Sequence, residues 1–463
     1  MAGPAKSSAP HGRGGDLSTD VLVVGSGPAG SAAAAWAARL GLDVVLTDAA
    51  TFPRDKTCGD GLTPRAIAEM IGLGLEDWLR AHTVNQGLRA HGFGQTLLLP
   101  WPGGSLPDWG SAVARTELDD HLRTTALKAG ATGLDGSRAI SVRRDGDRVT
   151  AVEFLRDGRL FEVACRRLVV ADGVRSPVGK MLGRQWHRDT VYGVAGRSYV
   201  ASEMSDDPWI SSHLELRGTD GEVLSGYGWI FPLGTGEVNL GVGTLATQKR
   251  PAEVALRPLM QHYAAQRRDD FALTGDLRAS TSALLPMGGA VSGVAGRNWA
   301  LIGDAAACVN PLNGEGIDYG LEGGRLVAET FVDDPPDLGT LWPAVLRHHY
   351  GEKLLDRASP GRTRHHPAAA TGTRAGRHAL GLADDAGPAL DGQPGHRRRP
   401  RPGSTSVALG RSALPGAGRA GAVLLIDRAR CPLVIGSTAL PRGYLLDRAA
   451  WRFLPGGDSP PVR

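Results

Sequence analysis

DVLVVGSGPAGSAAAAWAARLG, residues 20–41, decides how the rest of the chain is read. Val21 to Val24 is a short apolar run, the mark of a strand buried on both faces. Gly25, Gly27 and Gly30 follow at G-x-G-x-x-G spacing, and the alanine-rich Ser31–Leu40 predicts a helix that stops at Gly41. Each glycine has a separate task. Gly25 permits the tight turn, Gly27 lets a pyrophosphate approach the backbone, and Gly30 lets helix pack on strand. The phosphates would meet free N–H groups at the positive end of the helix dipole. A second strand, Asp43 to Thr47, ends at Asp48, where a carboxylate can accept hydrogen bonds from an adenosine ribose. Strand, glycines, helix, strand and terminal acid in this order predict a dinucleotide site.

Working outward, the loop TFPRDKTCGDGLTPR (residues 51–65) leaves that second strand and is positioned to pass over a cofactor. Cys58 within it reads either as a reactive thiol or as a small buried residue. Pro64 to Leu79 predicts a helix. Arg115, in ARTELDDHL, precedes a helix over Glu117–Ala129 with Thr116 as its cap. It reads either as a contact to cofactor phosphates or as an ordinary surface arginine. Leu168 to Ala171 is a buried strand ending at Asp172-Gly173, and Ser176-Pro177 opens a helix. Trp299 to Ile302 is a third buried strand, followed by Gly303-Asp304, Pro311, Gly314 and Gly316, and then a helix over about residues 315–332. An acid at this strand end can bind ribityl hydroxyls. The following helix N-terminus can stabilise negative charge on an electron-rich ring. A plain NAD domain has no use for this late return, so the pattern points to FAD.

Between these parts the texture changes. VYGVAGRSYV, SSHLELR, GYGWIFPLG and EVNLGVGTLA, within residues 191–246, predict successive strands joined by Gly-rich turns, hence an antiparallel sheet. A helix over Ala252–Arg268 and a strand over Ala279–Met287 follow. Tyr227, Trp229 and Phe231 share one face by period-two alternation. Gly241 and Gly243 leave bare backbone on the next strand. The set reads either as the lining of a long apolar slot or as ordinary sheet core.

The chain of 463 residues is long enough for two domains. No run reaches the roughly 18 apolar residues of a membrane-spanning helix. The polar, Gly/Pro/Ser-rich residues 1–17 lack an apolar signal core and read as a disordered cytoplasmic leader. Cys58, Cys165, Cys308 and Cys431 form no CxxC pair, so neither a disulfide framework nor a metal site is expected. Residues 352–463 carry 18 Lys+Arg against 8 Asp+Glu, so the net charge of +4 leaves residues 1–351 acidic overall. That excludes an electrostatic case for nucleic acid in the body of the chain.

The motifs together resemble the geranylgeranyl reductase family of FAD proteins, which share the fold of p-hydroxybenzoate hydroxylase. The likeness is nearest to the bacterial branch that saturates one isoprene unit of the menaquinone tail. It covers residues 20–350 and rests on the Gly25–Gly30 fingerprint, PRDKTCGDGLTPR (53–65), RTELD (115–119), ADG (171–173), YGWIFP (227–232) with GVG (241–243), and LIGDAAACVNPLNGEGIDYG (301–320). The resemblance implies an α/β fold: a Rossmann-like FAD-binding domain of residues 18–180 and 295–350, with an antiparallel substrate domain, 181–294, interposed. It implies a cofactor set of Gly25, Gly27, Pro28, Ala29, Gly30, Asp48, Arg54, Arg115, Asp172, Gly303, Asp304, Pro311, Gly314 and Gly316. Tyr227, Trp229, Phe231 and Gly241 would line the isoprenoid channel, with Cys58 beside the flavin as proton donor. The expected partners are a prenyl lipid, an electron donor that the sequence does not identify, and the cytoplasmic face of the membrane, touched peripherally. The fold also hosts FAD monooxygenases, halogenases and reductases of other prenyl lipids. A halogenase would need its GWxWxIP motif and a catalytic lysine, and YGWIFP supplies neither.

After about Tyr350 the pattern breaks into an Arg/Pro/Gly/Ala-rich tail, with runs such as HRRRPRPG at 396–403. It reads either as a disordered basic extension or as the product of a frameshift. DDAGPALDGQPGH (384–396) can be encoded so that the next frame gives an apolar, helix-like segment similar to the family's C-terminal region.

Overall fold

A computed structural model describes residues 17–351 apart from Glu253 and Leu312. The leader expected over most of residues 1–17, the tail from 352 onward and Cys431 lie outside the described residues.

The fingerprint strand Leu17–Val24 sits in the middle of a sheet, parallel to Val44–Thr47 on one side and to Arg159–Val170 on the other. Thr132–Leu134 extends the first side and Trp299–Leu301 the second, both in parallel. Val21, Leu22 and Val23 are fully buried, which is why this segment reads as an unbroken apolar run rather than an alternating one. A hairpin, Arg138–Asp145 and Arg148–Arg156, adds antiparallel strands to Arg159–Val170. Pro28–Arg39 is the fingerprint helix, and its alanines allow close packing. Across it lies the helix Ile317–Glu329, close enough that a Cβ on Gly324 would stand 2.6 Å from the Ala29 carbonyl oxygen.

A second sheet has the order Leu273–Leu285, Tyr192–Ser202, Glu237–Ala246, Gly226–Pro232, Trp209–His213, Gly87–Gly92, Gln95–Pro100. Its pairings are antiparallel except for Trp209–His213 beside Gly87–Gly92. The helix Leu256–Arg267 packs on one face, burying Ile230, Leu240, Val242, Met260 and Tyr263 together. The opposite face carries Tyr227, Trp229 and Phe231, as the alternation requires.

Several boundaries differ from expectation. Gly87–Gly92 and Gln95–Pro100 belong to the second sheet although they lie within the 18–180 segment. These short strands carry no alternation strong enough to announce which sheet they join. The helix expected over Pro64–Leu79 divides into Pro64–Gly72 and Glu76–Arg80, because Gly74 turns with φ +77°. Arg115 is itself the first helical residue, with Ala114 at the cap, so Thr116 does not cap. The helices over 252–268 and 315–332 are shorter than expected, at Leu256–Arg267 and Ile317–Glu329.

Candidate functional site

The fingerprint forms a cradle that fits a dinucleotide. Gly25 has φ +106°, and a Cβ there would lie 2.3 Å from the Ala171 carbonyl oxygen. One on Gly30 would lie 1.7 Å from the Gly25 carbonyl oxygen. Gly27 is different: a Cβ there would meet only Arg54 Nη2, at 3.5 Å. Space is therefore kept above the helix N-terminus, and a guanidinium overlooks it. Gly27 gives the helix no side-chain cap, Pro28 and Ala29 open it, and no acid occupies its first turn. The positive end of the dipole is left for an anion. Asp48 Oδ2 accepts from the Ser26 N–H and Oδ1 from the Ala50 N–H, both at 2.8 Å, which fixes the carboxylate at the end of its strand.

The late segment returns to this cradle. Trp299–Leu301 ends in the turn Gly303–Ala306. Gly303, at φ +56°, leaves room for Ala29, whose Cβ a side chain would approach to 3.0 Å. Asp304 Oδ1 lies 3.4 Å from where a Cβ of Gly316 would stand. Gly314 has φ +75° and faces the Tyr227 hydroxyl. The strand-end acid and the glycines ahead of Ile317–Glu329 are thus neighbours, as an isoalloxazine with its ribityl chain requires. Pro311 lies in the loop between them. Asp172 follows the strand Arg159–Val170. Its Oδ2 accepts the Val178 N–H at 2.8 Å, which caps the helix Pro177–Met181.

Arg115 is not a surface residue. It is 7% exposed and forks onto Asp119, with Nε–Oδ1 2.6 Å and Nη2–Oδ2 2.7 Å. Arg54 Nη1 shares the same carboxylate at 2.9 Å. Burial opposes the Arg115 charge, but Asp119 and Cys58 together outweigh it and the guanidinium is held firmly protonated. Arg115 also reaches the Cys58 thiol. Burial raises the Cys58 pKa, Arg115 opposes the rise and Asp60 reinforces it, so the thiol keeps its proton at neutral pH.

The aromatic ladder faces these loops. Tyr227 Oη donates to the Asn313 carbonyl at 2.5 Å. Phe231 lies against the backbone of Gly59 and Gly61, where a Cβ would stand 3.0 and 3.1 Å from its ring. Trp229 lies between them, 6% exposed, with ring centroids 5.9 Å from Tyr227 and 6.4 Å from Phe231. Gly241 needs correction. It does not open a slot to substrate, because the Trp229 indole occupies the space over it. A Cβ there would be 2.0 Å from Cζ2. The cause is register: Trp229 and Gly241 are directly paired on adjacent strands.

Sequence reasoning missed the polar layer beneath the ladder. Asn239 is fully buried. Its Oδ1 accepts the Trp229 Nε1–H at 2.9 Å, and its Nδ2 donates to the Cys58 carbonyl and to Asp60 Oδ2, both at 2.8 Å. Tyr199 Oη donates to the same Asp60 oxygen at 2.7 Å. Arg197, also fully buried, pairs with Asp55 and donates to the Ala279 carbonyl at 2.6 Å. The available signal was a polar residue at a core position of an apolar strand: Asn in EVNLGVG and Arg in VAGRSYV.

Comparison with known proteins follows the same lines. The FAD binding domain family matches residues 18–373. A menaquinone reductase of Mycobacterium tuberculosis is 63% identical over 336 residues, which is 73% of this chain and 81% of that protein. A digeranylgeranylglycerophospholipid reductase of Methanopyrus kandleri is 31% identical over 325 residues, 68% of this chain and 80% of its own. Among solved structures, a geranylgeranyl bacteriochlorophyll reductase-like protein from Thermoplasma acidophilum superposes with a TM-score of 0.61 at 21% identity. It covers 72% of this chain and 84% of that one, and the likeness is one of fold.

Proposed function

This chain belongs to the FAD binding domain family, in the group that holds the menaquinone and geranylgeranyl-lipid reductases, and we propose that it saturates a C=C bond in the isoprenoid tail of menaquinone. The observation that carries this reading is the Tyr227–Trp229–Phe231 ladder, turned toward the loops Cys58–Gly61 and Asn313–Gly314 beside the dinucleotide cradle. It is an apolar wall next to the place a redox cofactor would take, which suits a prenyl chain better than a polar substrate.

FAD, once bound and reduced, supplies a hydride equivalent. The protein has to supply the rest. An isolated trisubstituted alkene is unpolarised, so hydride addition alone would leave an unstabilised carbanion. Proton delivery to the less substituted carbon instead places positive charge on the tertiary carbon. The faces of Trp229 and Tyr227 can shield such a charge. Cys58 is our candidate donor, directly or through water. Its thiol is neutral at rest, and Arg115 beside it can stabilise the thiolate left behind. Gly27, Arg54 and Asp48 would hold the pyrophosphate and adenosine side of the cofactor, and Asp304, Gly314 and Gly316 its ring side.

Menaquinone dissolves in the bilayer, so we place the working enzyme at the membrane surface on the cytoplasmic side, supplied by a separate electron donor. Among the described residues no helix is long and apolar enough to cross a membrane. The test is mass spectrometry of menaquinone after incubation with the purified, chemically reduced, FAD-loaded protein. A gain of two hydrogens in the tail supports the reading. Unchanged quinone, or oxygen incorporated into the product, overturns it.

A further inference from the structure

The turn Cys58–Gly61 holds a residue that the chemistry above leaves unused. Asp60 is fully buried and sits at φ +64°, a left-handed conformation that a side chain other than glycine adopts only at some cost in strain. Glycines flank it on both sides because the Phe231 ring leaves no room for a Cβ at either. An aspartate at such a position calls for an explanation that a third glycine would not.

Its surroundings supply one. Asp60 Oδ2 takes two hydrogen bonds from the second sheet, from Tyr199 and Asn239, while Oδ1 has no hydrogen-bond partner among the described residues. Asp60's own N–H points at Cys58 Sγ, 3.4 Å away. Two guanidiniums flank the carboxyl, yet neither pairs with it directly. Arg115 is forked onto Asp119 and Arg197 is paired with Asp55. Asp55, the partner of Arg197, is a further charge acting at Tyr199, and Tyr227 interacts with the Cys58 thiol.

Building on the prenyl-reductase reading, we infer that Asp60 is a positioning residue for Cys58. Its carboxyl pins the Cys58 turn to the strand that carries Asn239, and its charge opposes that of Arg115 at the thiol. Burial pushes the Asp60 pKa up to about 6, against the pull of its hydrogen bonds and of both arginines. The carboxyl therefore changes charge near pH 6, well below the pH at which the thiol itself titrates. When Asp60 is ionised the thiol holds its proton more tightly. When Asp60 is protonated, Arg115 acts unopposed and the thiolate forms more readily. A purely structural aspartate would be replaced by asparagine without consequence, because an amide oxygen accepts the same two hydrogen bonds.

The experiment is the pH profile of iodoacetamide alkylation at Cys58 in the FAD-loaded protein, read peptide by peptide by mass spectrometry. For Asp60→Asn we expect the midpoint to fall by about one unit, which is ~10-fold faster alkylation at pH 7. Tyr199→Phe removes one donor to the ionised carboxylate, so the inflection that Asp60 imposes on the logarithm of the alkylation rate near pH 6 should move to higher pH while the midpoint stays. That variant also carries the test if Asp60→Asn does not fold. Profiles of both variants that superimpose on the wild type overturn the inference. Menaquinone reduction by the same preparations keeps the two ideas apart. Normal wild-type reduction with unshifted profiles overturns the role of Asp60 alone. Absent wild-type reduction with shifted profiles overturns the substrate and leaves that role standing.

Discussion

Replacing Gly241 by alanine tests the seat of Trp229 with a single methyl group. The new Cβ would stand 2.0, 2.3 and 2.6 Å from Cζ2, Cε2 and Cη2 of the indole. Ordinary carbon contacts lie near ~3.5 Å, so the ring must retreat by about 1.5 Å. That movement opens the 2.9 Å bond from Nε1 to Asn239 Oδ1. Overpacking of a close-fitted core costs about 1–3 kcal/mol, and a buried hydrogen bond lost with its acceptor stranded adds about 1–2. The expected loss is about 2–5 kcal/mol, a large part of the ~5–15 kcal/mol that holds a typical domain. Urea unfolding at pH 7 should show a clear drop in midpoint, with red-shifted tryptophan emission from an indole forced toward water. Menaquinone reduction should fall with it, because the ladder loses its central rung. Wild-type unfolding and emission in Gly241→Ala would refute the reasoning, since the indole could not then be lying on that glycine.

Other perturbations follow from the same geometry. Arg54→Met removes the guanidinium over Gly27 while Arg115 keeps Asp119 paired, so the fold should survive and the FAD dissociation constant rise ~10-fold or more, measured by flavin fluorescence titration. Cys58→Ser should retain FAD and lose most of its reduction rate; a variant that reduces menaquinone at full rate removes Cys58 from the proton step. Burial, helped by His91, Arg267 and Arg89, holds the His213 pKa down to about 3. Below about pH 6.5 the unfolded chain therefore takes up a proton that the folded chain refuses. Stability should be full above that pH and fall toward pH 3 by up to about 1.4 kcal/mol per unit, and His213→Gln should lose less between pH 7 and 5 in urea titrations. Asp60 works in the opposite sense. Its raised pKa makes the folded state less stable as pH climbs through 4 to 6, so Asp60→Asn should melt higher than wild type at pH 8 and not at pH 4.

What the sequence made legible was whatever rests on local backbone demands. The fingerprint glycines, the acid at the end of the second strand and the alternation of Tyr227, Trp229 and Phe231 each follow from a turn, a helix end or a strand period. Relations between distant segments were hidden. Gly241 read as open backbone because the partner filling it is set by strand register, not by its own neighbours. Arg115 read also as an ordinary surface charge because burial beside Asp119 depends on how the 51–65 loop folds over it. Asp60 sat between two glycines in plain view, but its meaning comes from Tyr199 and Asn239, nearly 140 and 180 positions away. The hairpin Gly87–Pro100 joined a sheet whose other strands all lie between Tyr192 and Leu285, and no local pattern carries that information.

The loop after the second strand touches both halves of the site within a few residues. Arg54 overlooks the phosphate cradle, and Gly59 and Gly61 form the wall behind Phe231. A ligand that orders one end of so short a tether prepays part of the ordering needed at the other. Thermodynamic linkage then makes the effect mutual: any factor by which dinucleotide occupancy tightens the hold on a prenyl chain is the factor by which the prenyl chain tightens the hold on the dinucleotide. Flavin should thus be held most tightly when the greasy wall is covered, and a protein starved of lipid should be the one that bleaches on dilution.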